Sequence, residues 1–336
     1  MVSGSGYLPM PRARPTDTPM TSLRSSFRRH LPTVRIVVRW IWFIAVLVFV
    51  VGYIRRNGGL IIDTLSGFTV LVLLSTALVT VIGKVILAIQ CGAITTHLGH
   101  RFQSAHVFWM YTASDLAKYV PGGVWNAVAR VKLYADAGMS RGAAGRAFAL
   151  EKYWQVLGAL ATGAIALAPE IHRQIFGWPA HAVLVTSEVM VVVGAWALLT
   201  AVGASRISGV PVNSRLVARS IAEQSAMAIA LGLGLWIPLV AVSASIDPLT
   251  AIGAFSIGRG IGYVAVFAPA GIGVREVVTL WALGRGLDTD LALVALGVNR
   301  VMTLGADLGS FAIGAGIRRR AGTSTCSQED SEDDRG

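Results

Sequence analysis

Apolar runs separated by short charged or Pro-Gly stretches occupy nearly all of residues 36–317. Six runs, about 36–54, 67–90, 143–168, 180–202, 217–242 and 291–317, approach or exceed the roughly 20 residues that a bilayer span requires. Four more, about 104–119, 122–134, 249–267 and 271–285, are shorter or interrupted and fall into two pairs. A break joins each pair: Tyr119-Val120-Pro121-Gly122-Gly123 in the first, and Phe267-Ala268-Pro269-Ala270-Gly271-Ile272-Gly273 in the second. Pro lacks the backbone N–H and Gly has no helical bias, so both stretches interrupt a helix. Non-helical backbone at membrane depth must be buried in protein or line a wet cavity. The pairs are therefore predicted to be re-entrant hairpins. The alternative is that they cross fully, which gives eight or ten spans.

The two breaks also mark a repeat. Shifted by 148 residues without a gap, Pro121 falls on Pro269, Gly123 on Gly271 and Gly138 on Gly286. The order long, long, short pair, long then occurs twice, over 36–168 and over 180–317. Three spans per half is an odd number, so the second half is expected upside down. The loop charges agree with a cytoplasmic N-terminus under the positive-inside rule. Arg101, Arg141, Arg206, Arg215, Arg318, Arg319 and Arg320 then lie inside, and Asp63, Glu170, Asp247, Asp288 and Asp290 outside. Arg55 and Arg56 are the main exceptions. The predicted fold is all-α: a polytopic integral membrane protein of two inverted repeats, each with three spans plus one re-entrant helical hairpin, in the cytoplasmic membrane with both termini inside.

Composition supports the membrane assignment. Hydrophobic residues make up 54% and charged residues 14%, with mean hydropathy +0.62; a soluble domain carries roughly 25% charge. Residues 1–35 are predicted to be a disordered basic arm, 36–320 the membrane domain, and 321–336 an acidic disordered tail. The net charge of +11 is spread over loops. It points to anionic lipid headgroups as partners, and not to nucleic acid. Cys91 is expected in a membrane-flanking loop and Cys326 in the tail, which supports neither a disulfide nor a metal site. His97, His100 and His106 are expected to be solvated loop residues. There is no Walker loop, no Gly-x-Ser-x-Gly elbow and no His-Glu-x-x-His, so neither an enzyme nor a cofactor is expected.

Candidate chemistry comes from charge inside the apolar runs. An ionisable residue there costs about 2.5–3.5 kcal/mol on insertion scales and marks a functional hypothesis. Glu151 and Lys152 lie about two turns inside the third long run. Arg300 is the repeat counterpart of Lys152, and Asp307 follows it two turns on. Mutual pairing that holds the repeats together is the competing role for this set. Asn126 and Arg130 follow the first break, and Arg275 and Glu276 the second. Helix N-termini with an added arginine suit a phosphate, although Arg130 could equally be an anchor and Arg275 a structural ion pair. Arg259 with Tyr263 one turn on is a further candidate. Lys84, Glu188 and Glu223 look isolated and are expected to snorkel or pair.

The stretch from Leu116 through Lys118, Tyr119, Pro121, Gly122, Gly123 and Trp125 to Arg130, Gly138, Glu151 and Lys152 resembles the flippase-like family, also called the lysylphosphatidylglycerol synthase transmembrane region. Pro269, Gly271, Gly273, Arg275 and Glu276, with Asn299, Arg300 and Asp307, look like that family's C-terminal motif. The resemblance covers most of 36–317. It implies movement of a phospholipid or lipid-linked headgroup, such as an anionic phospholipid or a polyprenyl-phosphate lipid, with these motif residues around the substrate. Two alternatives remain: a scaffold for a separately encoded glycosyltransferase or lipid synthase, and a membrane-embedded lipid-phosphate transferase. No soluble aminoacyltransferase domain is present among these residues, so lipid lysylation is not expected. Gln155 stands near a position where many relatives carry an acid.

Overall fold

In the helix Val70–His97, Leu71 and Leu74 are 76% and 63% exposed, while Lys84, Thr80 and Gln90 are buried. Apolar outside and polar inside is the reverse of a water-soluble helix. It fits a solvent of lipid. Six helical segments are long and apolar enough to cross a bilayer: Trp40–Ser66, Val70–His97, Arg141–His172, Ser187–Ser208, Ser214–Ala241 and Thr289–Arg320. They correspond to the six long runs of the sequence. The chain is a multi-pass membrane protein.

The structure is a computed structural model. It describes residues 19–120, 124–176, 182–242, 245–265, 268, 271–284 and 287–333. Among these there is no strand. The order is α1 (Pro19–Ser66), α2 (Val70–His97), α3 (Ser104–Asp115) with a 3-10 turn at Leu116–Tyr119, α4 (Trp125–Asp136), α5 (Arg141–Phe176), α6 (Ala182–Ser208), α7 (Ser214–Ala241), α8 (Pro248–Val264), α9 (Val274–Leu283) and α10 (Thr289–Asp333). Side chains of Thr69, Asn213 and Asp247 accept from backbone N–H groups in the first turns of α2, α7 and α8, satisfying donors that a helix start leaves free. Backbone at Asn57 is non-helical and bends α1 just after Arg55-Arg56. Helix enters both stretches expected to be disordered, since α1 begins at Pro19 and α10 ends at Asp333. Extending a formed helix is far easier than nucleating one.

The two short pairs fold back on themselves. Asn126 and Arg130 of α4 both bond to Ser114 of α3, and Tyr134 near the end of α4 stacks on Phe102 just before α3, ring centroids 6.4 Å apart. In the second pair, Gly258 of α8 faces Thr279 and the Arg275 carbonyl, and Gly262 faces Arg275 and Gly271. Each pair is thus antiparallel. A Cβ at Gly258 would come within 2.8 Å of that carbonyl; small residues four apart are what let two helix backbones approach this closely. α2 packs on α7; α5 packs on α7 and α8; α10 packs on α2 and α3.

Candidate functional site

Glu151 sits on α5, 1% exposed, and holds two cations with its two oxygens. Oε2 accepts from Arg130 Nη1 at 2.6 Å; Oε1 accepts from Lys152 Nζ and Gln155 Nε2, each at 3.1 Å. Arg130 is fully buried and every nitrogen of its guanidinium has a protein partner. Nε donates to Ser114 Oγ at 2.5 Å and Nη2 to the Tyr111 carbonyl at 3.3 Å, with the Tyr111 ring 4.7 Å away. Arg130 is therefore committed to protein partners on every nitrogen, as an anchor would be. Cys91 also meets this pair, at 3.3 Å from both Arg130 Nη1 and Glu151 Oε2. It lies inside α2 and not in a flanking loop, because α2 continues seven residues beyond the apolar run to His97.

A second cluster ties the first break to α10. Lys118 Nζ lies 2.7 Å from both Asp115 Oδ2 and Asp307 Oδ2. Lys84 pairs with Asp307 and reaches Asp115 at 3.4 Å. Tyr119 donates its hydroxyl to Asp307 Oδ2 at 2.6 Å. Two lysines and two aspartates balance, so this box closes electrically. Asp307 is committed here. It does not share a partner with Arg300, which lies two turns earlier on the same helix.

The third group surrounds the second break. Arg300 Nε donates to Glu276 Oε1 at 2.5 Å, and Glu276 Oε2 accepts the Gly273 N–H at 2.7 Å. The Glu276 carboxylate thus occupies the N-terminus of α9, where a phosphate was expected. Gly271 and Gly273 have φ of +68° and +85°, a region that L side chains enter only with strain. Trp42 of α1 donates to the Ile272 carbonyl at 2.9 Å. Arg275 stands over the Phe255 ring at 4.1 Å and has no carboxylate partner among the described residues. The structural ion pair considered for it is absent there. Arg259 is 7% exposed; its partners are Met227 Sδ and the Tyr263 hydroxyl, and neither carries a compensating charge. Lys152 and Arg259 both flank the Tyr263 ring, at 5.5 and 5.3 Å from its centroid.

These clusters adjoin one another. Among the described residues they comprise seven cations (Lys84, Lys118, Arg130, Lys152, Arg259, Arg275, Arg300) and four carboxylates (Asp115, Glu151, Glu276, Asp307). The surplus falls on Lys152, Arg259 and the Arg275–Arg300 neighbourhood. Residues 266–270 hold no Asp or Glu, so the second break supplies no missing counter-charge.

Pro121, Gly122, Gly123 and Pro269 lie outside the described residues. Asn126 Nδ2 donates to the Ser114 carbonyl at 3.0 Å, and its buried oxygen has no partner among the described residues. The sequence reading missed Asp115, whose i,i+3 spacing from Lys118 ahead of the break was the available signal. It also took Lys84 as isolated, because its partners lie on α3 and α10. A separate open groove of about 950 Å³ is lined by residues of α2, α3, α7 and the loop between α2 and α3, including Arg101, Arg215 and Arg219. No protein-family model and no curated protein sequence matches the chain.

The glycine geometry gives one prediction. A Cβ at Gly271 would lie 3.1 Å from the Gly262 carbonyl oxygen, and its φ is positive. A Cβ at Gly316 meets nothing within 4 Å. Gly271→Leu is expected to lose at least about 1–3 kcal/mol from backbone strain alone, while Gly316→Leu stays near wild type. Thermal unfolding in detergent measures both; equal midpoints would remove the close approach as a requirement of the fold.

Proposed function

We propose that the protein translocates a phospholipid or lipid-linked headgroup across the cytoplasmic membrane, by rocking of two inverted repeats around the charged interior. The observation that carries this function is the surplus of cations within an apolar helix assembly. A headgroup crosses only where polar protein groups replace its water. A purely structural network would instead close its charges, as the Lys84–Asp115–Lys118–Asp307 box does.

Three further features support it. The packing partners exchange as a two-fold relation between halves would make them: α5 on α8 answers α10 on α3, α5 on α7 answers α10 on α2, and α2 meets α7. The ends of the first short pair meet at Phe102 and Tyr134, as a hairpin entering and leaving on one side requires. Interrupted helices at matching positions of two halves are characteristic of transporter binding sites. The resemblance to the flippase-like family points the same way. Arg101, Arg215 and Arg219 share one end of the assembly, which favours that end, with both termini, as cytoplasmic.

The test is reconstitution into liposomes with labelled phospholipids and polyprenyl-phosphate lipids, following leaflet exposure over time. The expected result is movement of at least one class faster than in protein-free vesicles. No movement of either class, together with tight binding of a glycosyltransferase or lipid synthase, would replace translocation by the scaffold role. Formation of a modified lipid without a change of leaflet would replace it by the transferase role.

A further inference from the structure

The surplus charge has a sign and a place, and both bear on which headgroup fits. Glu151 serves both Arg130 and Lys152. Glu276 serves Arg300, with Arg275 beside it and without a carboxylate partner among the described residues. Arg259 lies about 16 Å along α8 from its first residue, at the α-helical rise of 1.5 Å, and is buried with a thioether and a phenol as its partners among the described residues. Nη2 of Arg300 is buried without a hydrogen-bond acceptor among the described residues. Arg259 is buried with no carboxylate beside it among the described residues, which is unfavourable, and the part-exposed Lys152, Arg275 and Arg300 have only Glu151 and Glu276 near them, so the group is poised for an anion that the described residues do not supply.

Resting on the translocation function, we propose that the site around Tyr263 selects a phosphate headgroup with surplus negative charge, a phosphomonoester or diphosphate lipid ahead of a phosphodiester lipid, and rejects a cationic aminoacylated headgroup. A phosphomonoester carries about −1.5 to −2 at neutral pH, against one negative charge on a diester. Guanidinium groups match phosphate oxygens with paired N–H donors. A lysyl ester adds two positive charges through its amines, reversing the sign of a phosphatidylglycerol headgroup, and meets like charge from four side chains. The departure from the resembled family is therefore in the substrate: the lipid that names that family is the one this interior disfavours.

The test is equilibrium binding to the full-length protein in phosphatidylcholine nanodiscs, read by native mass spectrometry. The probes are phosphatidic acid, phosphatidylglycerol, lysyl-phosphatidylglycerol and inorganic phosphate. Phosphatidic acid is expected to bind at least about tenfold more tightly than lysyl-phosphatidylglycerol, with phosphatidylglycerol between them. Inorganic phosphate should compete only at far higher concentration, since it lacks the acyl anchor; competition at equal concentration would overturn the lipid assignment. The Arg259→Gln, Arg275→Gln double variant should flatten the order, while Arg146→Gln, at an exposed position, should keep it. Arg259→Lys, which retains the charge, guards against a packing defect. Equal or tighter binding of lysyl-phosphatidylglycerol, or an order unchanged in the double variant, would overturn the proposal. The expected order without leaflet movement of any lipid would instead overturn translocation and leave the charge preference standing.

Discussion

Glu151→Gln is expected to destabilise the protein more than Arg130→Met does. The two residues are partners at 2.6 Å with side chains 1% and 0% exposed, and breaking a buried pair costs about 3–5 kcal/mol because it strands a charge. The two deletions are not equivalent. Without Arg130, Glu151 keeps Lys152 at 3.1 Å. Without the Glu151 charge, both Arg130 and Lys152 lose the one carboxylate that contacts them among the described residues, and the local surplus of positive charge grows. The double variant, Arg130→Met with Glu151→Gln, should recover part of the loss because it leaves only Lys152 to be stranded. Thermal unfolding monitored by size-exclusion in detergent ranks the three. Equal stability of Glu151→Gln and wild type, or a reversed order of the single variants, would show that this carboxylate does not hold α3, α4 and α5 together.

Much of the fold was visible along the chain because lipid imposes a coarse length rule. The six long helices and the four short ones among the described residues overlie the runs of apolar residues, most boundaries moving by a few residues while α1 and α10 extend well beyond theirs. The ends moved for local reasons. α2 carried on through Cys91, Gly92 and Ala93 to His97, which brought a presumed loop thiol against Arg130 and Glu151. Glu151, Lys152, Arg300 and Asp307 stood out as charges in apolar surroundings, and all four are engaged in ion pairs.

Partner choice was not legible in the same way, because it depends on which helices meet. Nothing in the spacing of Lys84 announces Asp307, 223 positions away, and nothing in Arg300 announces that Glu276 rather than Asp307 receives it. The difference between the closed aspartate–lysine box and the open arginine group appeared only once each pair was placed. That difference separates residues that hold the structure from those left for a ligand.

Arg275 belongs to the open group, and its removal tests the central claim. An uncompensated cation contributes little to stability, so Arg275→Gln should fold and reconstitute at least as well as wild type. A hydrogen bond to a charged group is worth about 1.5–3 kcal/mol, on the order of 10–100-fold in rate when it is made in the crossing state. The decisive measurement is leaflet exposure of a labelled anionic phosphate lipid per folded molecule in liposomes, Arg275→Gln against wild type. The account predicts a fall of roughly tenfold or more with unchanged folded yield; a rate per folded molecule equal to wild type would contradict it.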